Sequence, residues 1–279
     1  MVPAALRELG YEEGRNIEFD YRYAQGKEER LAGLASDLVA AKPDLILALL
    51  NPEILAAKRA TSTIPIVMAY ALTPVESGLI ASLARPGGNI TGTTIEDPEM
   101  GGKKLEILRD TVPHLARVTG LWEPEFPGMD IYYRATERAA KAMDIRLTML
   151  PARTIDEMEH AFTLITRERP DALLVVPTGA IAMYRKRVVE FAASQRLPAM
   201  YTGDSPVADA SLMSYSPDFR ALAQQTAIII DHVLKGAKPA DIPVEQPTQY
   251  KLAINLKTAK ALGLTIPQSV LLRATEVIQ

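Results

Sequence analysis

The chain has no cysteine. Disulfide staples, thiol catalysis and cysteine-ligated zinc are therefore excluded. Long hydrophobic runs are also missing, since no apolar stretch approaches the roughly 18–20 residues needed to span a bilayer. Neither sign of charge dominates: 31 Lys and Arg stand against 34 Asp and Glu, a formal net charge of -3. Without a basic face to neutralise phosphates, nucleic acid is not expected as a partner. No signal peptide is legible either, because Met1-Val2-Pro3 leads directly into a polar helix, residues 4–9, with neither a basic start nor an apolar stretch.

Catalytic motifs are equally sparse. The three histidines, His114, His160 and His232, lie far apart and outside any metal-ligand spacing, which reads as surface or helix-end histidines. There is no Gly-x-Ser-x-Gly elbow and no Walker-type loop. Pro86-Gly87-Gly88-Asn89 resembles a phosphate loop superficially, but it precedes an apolar strand where a phosphate loop would precede a helix, so it reads as a turn. No nucleophile–base pair or metal constellation specifies a reaction, and no cofactor is implied.

What is present is a globular balance, with 48% hydrophobic and 23% charged residues over 279 residues, enough for two lobes. Short apolar runs alternate with amphipathic segments. Strands are expected at 17–22, 45–49, 64–69, 90–94, 118–122, 146–150, 172–176, 199–201 and 212–215. Several of these, such as 45–49 and 172–176, are apolar throughout, the mark of parallel strands covered on both faces. Helices such as 28–41 and 130–143 keep apolar residues at three- and four-residue spacing. Alternation of this kind means α/β, with doubly wound parallel sheets. Pro43-Asp44 and Pro170-Asp171 both sit between a charged helix end and an apolar strand. The recurrence of that module about half a chain apart favours two similar lobes over one large sheet.

Several segments resemble the ABC transporter substrate-binding protein family, tryptophan-binding TrpX-like members included. They are Leu9-Gly10-Tyr11-Glu12-Glu13-Gly14-Arg15-Asn16-Ile17, Thr63-Ile64-Pro65-Ile66-Val67, Ala84-Arg85-Pro86-Gly87-Gly88-Asn89 and Leu212-Met213-Ser214-Tyr215. Leu234-Lys235-Gly236 and Ile254-Asn255-Leu256-Lys257-Thr258-Ala259 continue the match in the family's order to the end of the chain. The resemblance implies a type I periplasmic-binding-protein fold, two Rossmann-like lobes joined by three crossovers and closing on a ligand in the cleft between them. It assigns residues 1–117 and 212–238 to the first lobe and 118–211 and 239–279 to the second. It implies a non-catalytic solute-binding component of an importer, placed in the periplasm or otherwise outside the cytoplasm. The expected partners are a small amino-acid-like or related organic ligand and an ABC permease in the membrane. A ligand-sensing regulatory domain of the same fold is the alternative.

In such a fold the ligand sits outside the carboxyl ends of the parallel strands, where helix N-termini and free N–H groups point. Those positions hold Asn51, Tyr70, Thr73, Trp122, Glu123, Thr178, Asp204, Tyr215 and Ser216. Trp122 either stacks on a planar ligand or plugs the lobe core, and Tyr70 and Tyr215 pose the same choice. Thr73, Thr178 and Ser216 either offer hydroxyls to a carboxylate or amide, or cap helices. Glu123 and Asp204 either pair with a ligand amine or are solvated loop carboxylates. Met100 and Met183 read as core. Two departures from the family bear on specificity: Thr73-Pro74-Val75 stands where Asp-Pro-Val is common, and Asp209-Ala210-Ser211 where Ala-Gly-Gly is usual. Tryptophan is therefore not carried over as the ligand. At the front, residues 4–9 resemble the end of the family's first helix with no apolar strand ahead of it. The first lobe is thus expected to lack its first strand, which is central in a 2-1-3-4-5 sheet. It would then close up with 17–22 beside 45–49, or exchange a strand with another copy; otherwise the chain is a monomer.

Overall fold

Apolar runs bounded by turns become parallel strands in both halves of the chain. The computed structural model describes residues 1–96, 98–176, 178–203 and 211–279. It divides into unit 1, residues 1–97 and 218–249, and unit 2, residues 98–217 and 250–279.

Unit 1 holds α1 (Val2–Glu8), α2 (Leu31–Ala40), β1 (Ile46–Ala48), α3 (Asn51–Ala60), β2 (Ile66–Leu72) and β3 (Ile90–Glu96). Its strands form a parallel sheet in the order β1-β2-β3. Strand alternation then sorts the core into two layers. Ile66 and Met68 turn toward Ile54 and Ala57 of α3. Val67 turns the other way, onto Val2 and Leu6 of α1 and onto Ala223, Ala227 and Ile230 of a long helix from residues 219–234. That helix returns from much later in the chain, and the Tyr11 hydroxyl donates to Asp231 Oδ1 at 2.9 Å to fasten it to the end of α1.

Unit 2 contains α4 (Met100–Thr111), β4 (Arg117–Trp122), α5 (Met129–Ala142), β5 (Arg146–Pro151), α6 (Ile155–Glu168), β6 (Ala172–Val175), α7 (Gly179–Met183), α8 (Arg185–Ser194), β7 (Ala199–Tyr201) and β8 (Met213–Pro217). The long helix of unit 1 is α9 (Phe219–Leu234), after which β9 (Tyr250–Asn255), α10 (Leu256–Ala261), α11 (Gln268–Leu271) and β10 (Glu276–Ile278) complete unit 2. Seven strands run β10-β9-β8-β7-β6-β4-β5, and only the β8–β9 pair is antiparallel. Strand β6 is buried along its whole length between β4 and β7, which accounts for its uninterrupted apolar sequence. One sheet face packs on α6 and α8 through Leu121, Leu173, Val175 and Tyr201. Local signals fix the helix starts: Thr154 Oγ1 accepts from Glu157 N at 3.2 Å, and Asp218 caps α9 through Arg220 N and Ala221 N.

Four expectations are corrected. Residues 17–22 form no strand: among the described residues β1 pairs with β2 alone, and an extended segment with no neighbouring ladder gains no strand hydrogen bonds. Phe19, Tyr21 and Tyr23 instead stack on one another, with centroids 5.8 and 6.0 Å apart. The unit boundaries differ from those expected: β8 pairs with β7 and β9, so residues 213–217 belong to unit 2, as does α4. Strands β9 and β10 were not anticipated. Met183 is no core residue but 57% exposed.

Candidate functional site

The carboxyl edge of the sheet in unit 1 is strained. The register between β2 and β3 shifts after Met68, and Tyr70 takes φ +62°, a left-handed conformation costly for a residue with a Cβ. Thr73 follows with φ +43°. Opposite the shift, Gly92 sits at φ +141°, where a Cβ would lie 1.9 Å from the Met68 carbonyl oxygen. Only glycine permits that approach. The strain turns the half-buried Tyr70 ring edge-on to Phe219, centroids 5.6 Å apart, at the first turn of α9.

Asn51, the first residue of α3, is fully buried. Its amide receives Leu72 N–H at 2.8 Å and donates to the Leu72 carbonyl at 2.7 Å and to Ser77 Oγ at 3.1 Å. Asn51 thus continues the ladder past the end of β2 and shapes the loop that carries Thr73, whose hydroxyl lies 3.3 Å from Ser77 Oγ. Two residues on, Glu53 Oε2 is buried without a partner. Burial raises the Glu53 carboxyl above its usual range, against the lowering effect of the backbone amides at the helix start.

In unit 2 the carboxyl edge gathers aromatic rings and polar atoms. Trp122 ends β4 and tilts over Tyr133 of α5 at 4.9 Å, with its indole Nε1 buried and unpartnered. Glu123, one residue on and 7% exposed, accepts the Ile181 N–H at 3.2 Å and so holds the start of α7. Thr178 precedes that helix; its carbonyl takes the Ala182 N–H, while its buried Oγ1 has no partner. Tyr215 on β8 stacks on Tyr250 at 5.6 Å, and the buried Ser216 Oγ beside it is unpartnered. Asp204 lies outside the described residues.

Two residues of this edge were missed by sequence reasoning. Tyr201 ends β7, almost wholly buried, with its hydroxyl unpartnered. Burial pushes its phenol well above the usual range, so it stays protonated. It stands at the carboxyl end of the expected strand 199–201, but nothing local in the sequence separates it from Ala199 and Met200, the apolar residues before it. Lys104 is fully buried in α4; its ammonium donates to Thr202 Oγ1 at 2.6 Å and to the Tyr132 hydroxyl at 3.3 Å, 5.5 Å above the Tyr132 ring. In the sequence it looks like one more cation on a solvated helix face.

These groups can bind and orient a small polar molecule. Unpartnered buried hydroxyls and an indole N–H are costly in isolation and call for a ligand or water. Among the described residues no three His, Asp or Glu side chains meet as a metal site. All three histidines are exposed.

Comparison with known proteins adds the following. A family model described as ABC transporter substrate binding protein matches residues 2–278. A tyrosine-binding protein of Clostridioides difficile is 29% identical over 261 residues, covering 93% of this chain and 74% of that protein. Among solved structures, an ABC domain from Streptococcus pneumonia in complex with L-Trp superposes with TM-score 0.92 and 28% identity, over 99% of this chain and 92% of that one. A periplasmic binding protein/LacI transcriptional regulator from Alkaliphilus metalliredigens, complexed with D-xylulofuranose, is 13% identical with TM-score 0.58 over 90% of each chain, a likeness of fold alone.

Proposed function

Since the chain belongs to the ABC transporter substrate-binding protein family, we propose that it captures an amino acid, with aromatic ones favoured, and hands it to an ABC permease in the membrane. The fold it shares with its relatives is that of type I periplasmic binding proteins, α/β and two-lobed. No described helix is long and apolar enough to cross a membrane. The work is differential: the ligand stabilises the state that grips it, and no bond is made or broken.

One observation carries the reading most: at the strand ends of each unit, aromatic rings stand beside polar groups. Tyr70 with Phe219 in unit 1, and Trp122 with Tyr133 and Tyr215 with Tyr250 in unit 2, offer flat apolar surface. Asn51, Thr73, Glu123, Thr178 and Ser216 supply hydrogen-bonding groups at the same ends, and Asp204 is proposed with them. A planar side chain joined to a zwitterionic head suits that mixture. The tyrosine-binding and L-Trp-bound relatives support it.

The test is thermal melting of the whole chain against the twenty amino acids and a set of sugars and aromatic acids. L-tyrosine or L-tryptophan is expected to raise stability, by about 2.7 kcal/mol when present at roughly one hundred times Kd. Trp122 is the sole tryptophan, so its emission is expected to change as the indole N–H gains a partner. Stabilisation by sugars alone would overturn the amino-acid reading.

A further inference from the structure

Among the described residues of unit 2, five buried polar side-chain atoms have no hydrogen-bond partner: Trp122 Nε1, Thr178 Oγ1, Tyr201 hydroxyl, Ser211 Oγ and Ser216 Oγ. Four of them share one edge of the sheet. Trp122 closes β4, Thr178 lies in the loop after β6, Tyr201 closes β7 and Ser216 stands one residue from the end of β8. These are four consecutive strands of the sheet, β8-β7-β6-β4, and each contributes one group at its carboxyl end. Ser211 alone stands at the opposite edge, ahead of β8.

Their chemistry has a direction. An indole N–H can only donate. A buried phenol that stays protonated is a donor first, and burial holds Tyr201 in that form. The Ser and Thr hydroxyls can donate as well. The buried Lys104 ammonium reaches the same edge through Thr202, the residue after Tyr201. Glu123 is the opposing charge, but one of its oxygens is engaged by the Ile181 N–H at the start of α7.

We infer that unit 2 receives the ligand by its carboxylate, through donors from Tyr201, Thr178 and Ser216, and that Tyr201 is a specificity-determining residue of this site; Trp122, on the opposite sheet face, is left to the ligand's planar side chain. The inference rests on the amino-acid reading above and adds the orientation of the ligand. It assigns the carboxylate, not the ammonium, to the edge that carries Glu123.

Calorimetry on the full chain tests it with three kinds of probe. These are L-tyrosine and L-tryptophan, their decarboxylated amines tyramine and tryptamine, and the deaminated acids 3-(4-hydroxyphenyl)propionate and indole-3-propionate. Loss of the carboxylate is expected to weaken binding about 100-fold or more, and Tyr201→Phe to weaken the amino acids about 10-fold while leaving the amines unaffected. The Phe variant keeps the ring in the core and loses only an unpartnered hydroxyl, so its melting temperature is expected to hold or rise. A purely structural role would lower the melting temperature and weaken every probe alike. Ser211→Ala, the unpartnered hydroxyl at the far edge, is expected to change no dissociation constant. Amines that bind as tightly as the amino acids, or a Tyr201→Phe protein with wild-type preference, overturn the orientation and leave the amino-acid reading standing. Failure of every amino acid to bind overturns both.

Discussion

Pro43-Asp44 and Pro170-Asp171 introduce apolar strands in the same way, yet only the second aspartate is put to use. Asp171 accepts the Ala116 and Arg117 N–H groups at 3.0 and 2.7 Å, pinning the start of β4 beside β6, and it pairs with the Arg117 guanidinium at 3.1 Å. Asp44 is exposed ahead of β1 and forms no such bond. The difference is one of neighbours. Strand β6 has a ladder on each side, whereas among the described residues β1 is paired only with β2. A sequence module therefore encodes a possibility, and the adjacent strand decides whether it is realised. In unit 2 the module is completed because its strand lies inside the sheet; in unit 1 the corresponding strand stands at a sheet edge.

The largest expected contrast lies in the strands themselves. Leu174→Ala, in the fully buried centre of β6, is expected to cost about 2–5 kcal/mol in denaturant melting. Leu47→Ala, on the half-buried edge strand β1, is expected to cost about 1 kcal/mol. Equal costs would break the comparison. The two aspartates give the next contrast. Asp171→Ala leaves two strand-end amides without their acceptor and is expected to cost about 1–3 kcal/mol, whereas Asp44→Ala is expected to stay within about 0.5 kcal/mol of wild type. Asp44 proving as costly as Asp171 would mean that the first module is also completed.

The smallest expected contrast is in pH. Glu53 of unit 1 has its carboxyl raised by burial, so in the folded state it binds its proton more readily than when unfolded. Its contribution to stability is fully present below the ordinary glutamate value near 4.3 and is lost as pH rises through the higher folded value. Asp171 behaves oppositely. Burial opposes its ionisation, but the Ala116 and Arg117 amides and the Arg117 guanidinium hold it below the usual carboxylate range. Its contribution is present above about pH 4 and fades as pH falls through the folded value. Mild acidification is therefore expected to favour unit 1, and stronger acidification to cost unit 2. Glu53→Gln should remove the first trend and Asp171→Asn the second, as read by melting temperature against pH.

The same contrast explains what the sequence made legible. Runs such as Ala172-Leu173-Leu174-Val175 announce themselves because a strand covered on both faces can be apolar throughout. Strand β9 alternates weakly at the antiparallel margin of its sheet, and β10 is short and largely exposed, so neither carries that signature. Residues 17–22 have the alternation of a strand, but a strand also needs a ladder, which no local pattern can supply. The site divides similarly. Carboxyl ends of strands can be counted along the chain, which brought Trp122, Glu123, Thr178, Tyr215 and Ser216 to one edge of unit 2. What each side chain does there depends on partners distant in sequence. Asn51 is engaged by Leu72, Glu123 by Ile181, and Tyr201 and Lys104 needed the fold to be noticed.

The path of the chain, which leaves unit 1 after residue 97 and returns at 218, sets a timetable for synthesis. The ribosome adds about 5–20 residues per second, so the interval between those two residues lasts on the order of ten seconds. Throughout it, the nascent β2 exposes the Val67 side that Ala223, Ala227 and Ile230 will later cover. The newborn protein thus carries a bare apolar patch while it is still tethered to the ribosome, and a chaperone that shields such surface has its longest opportunity there.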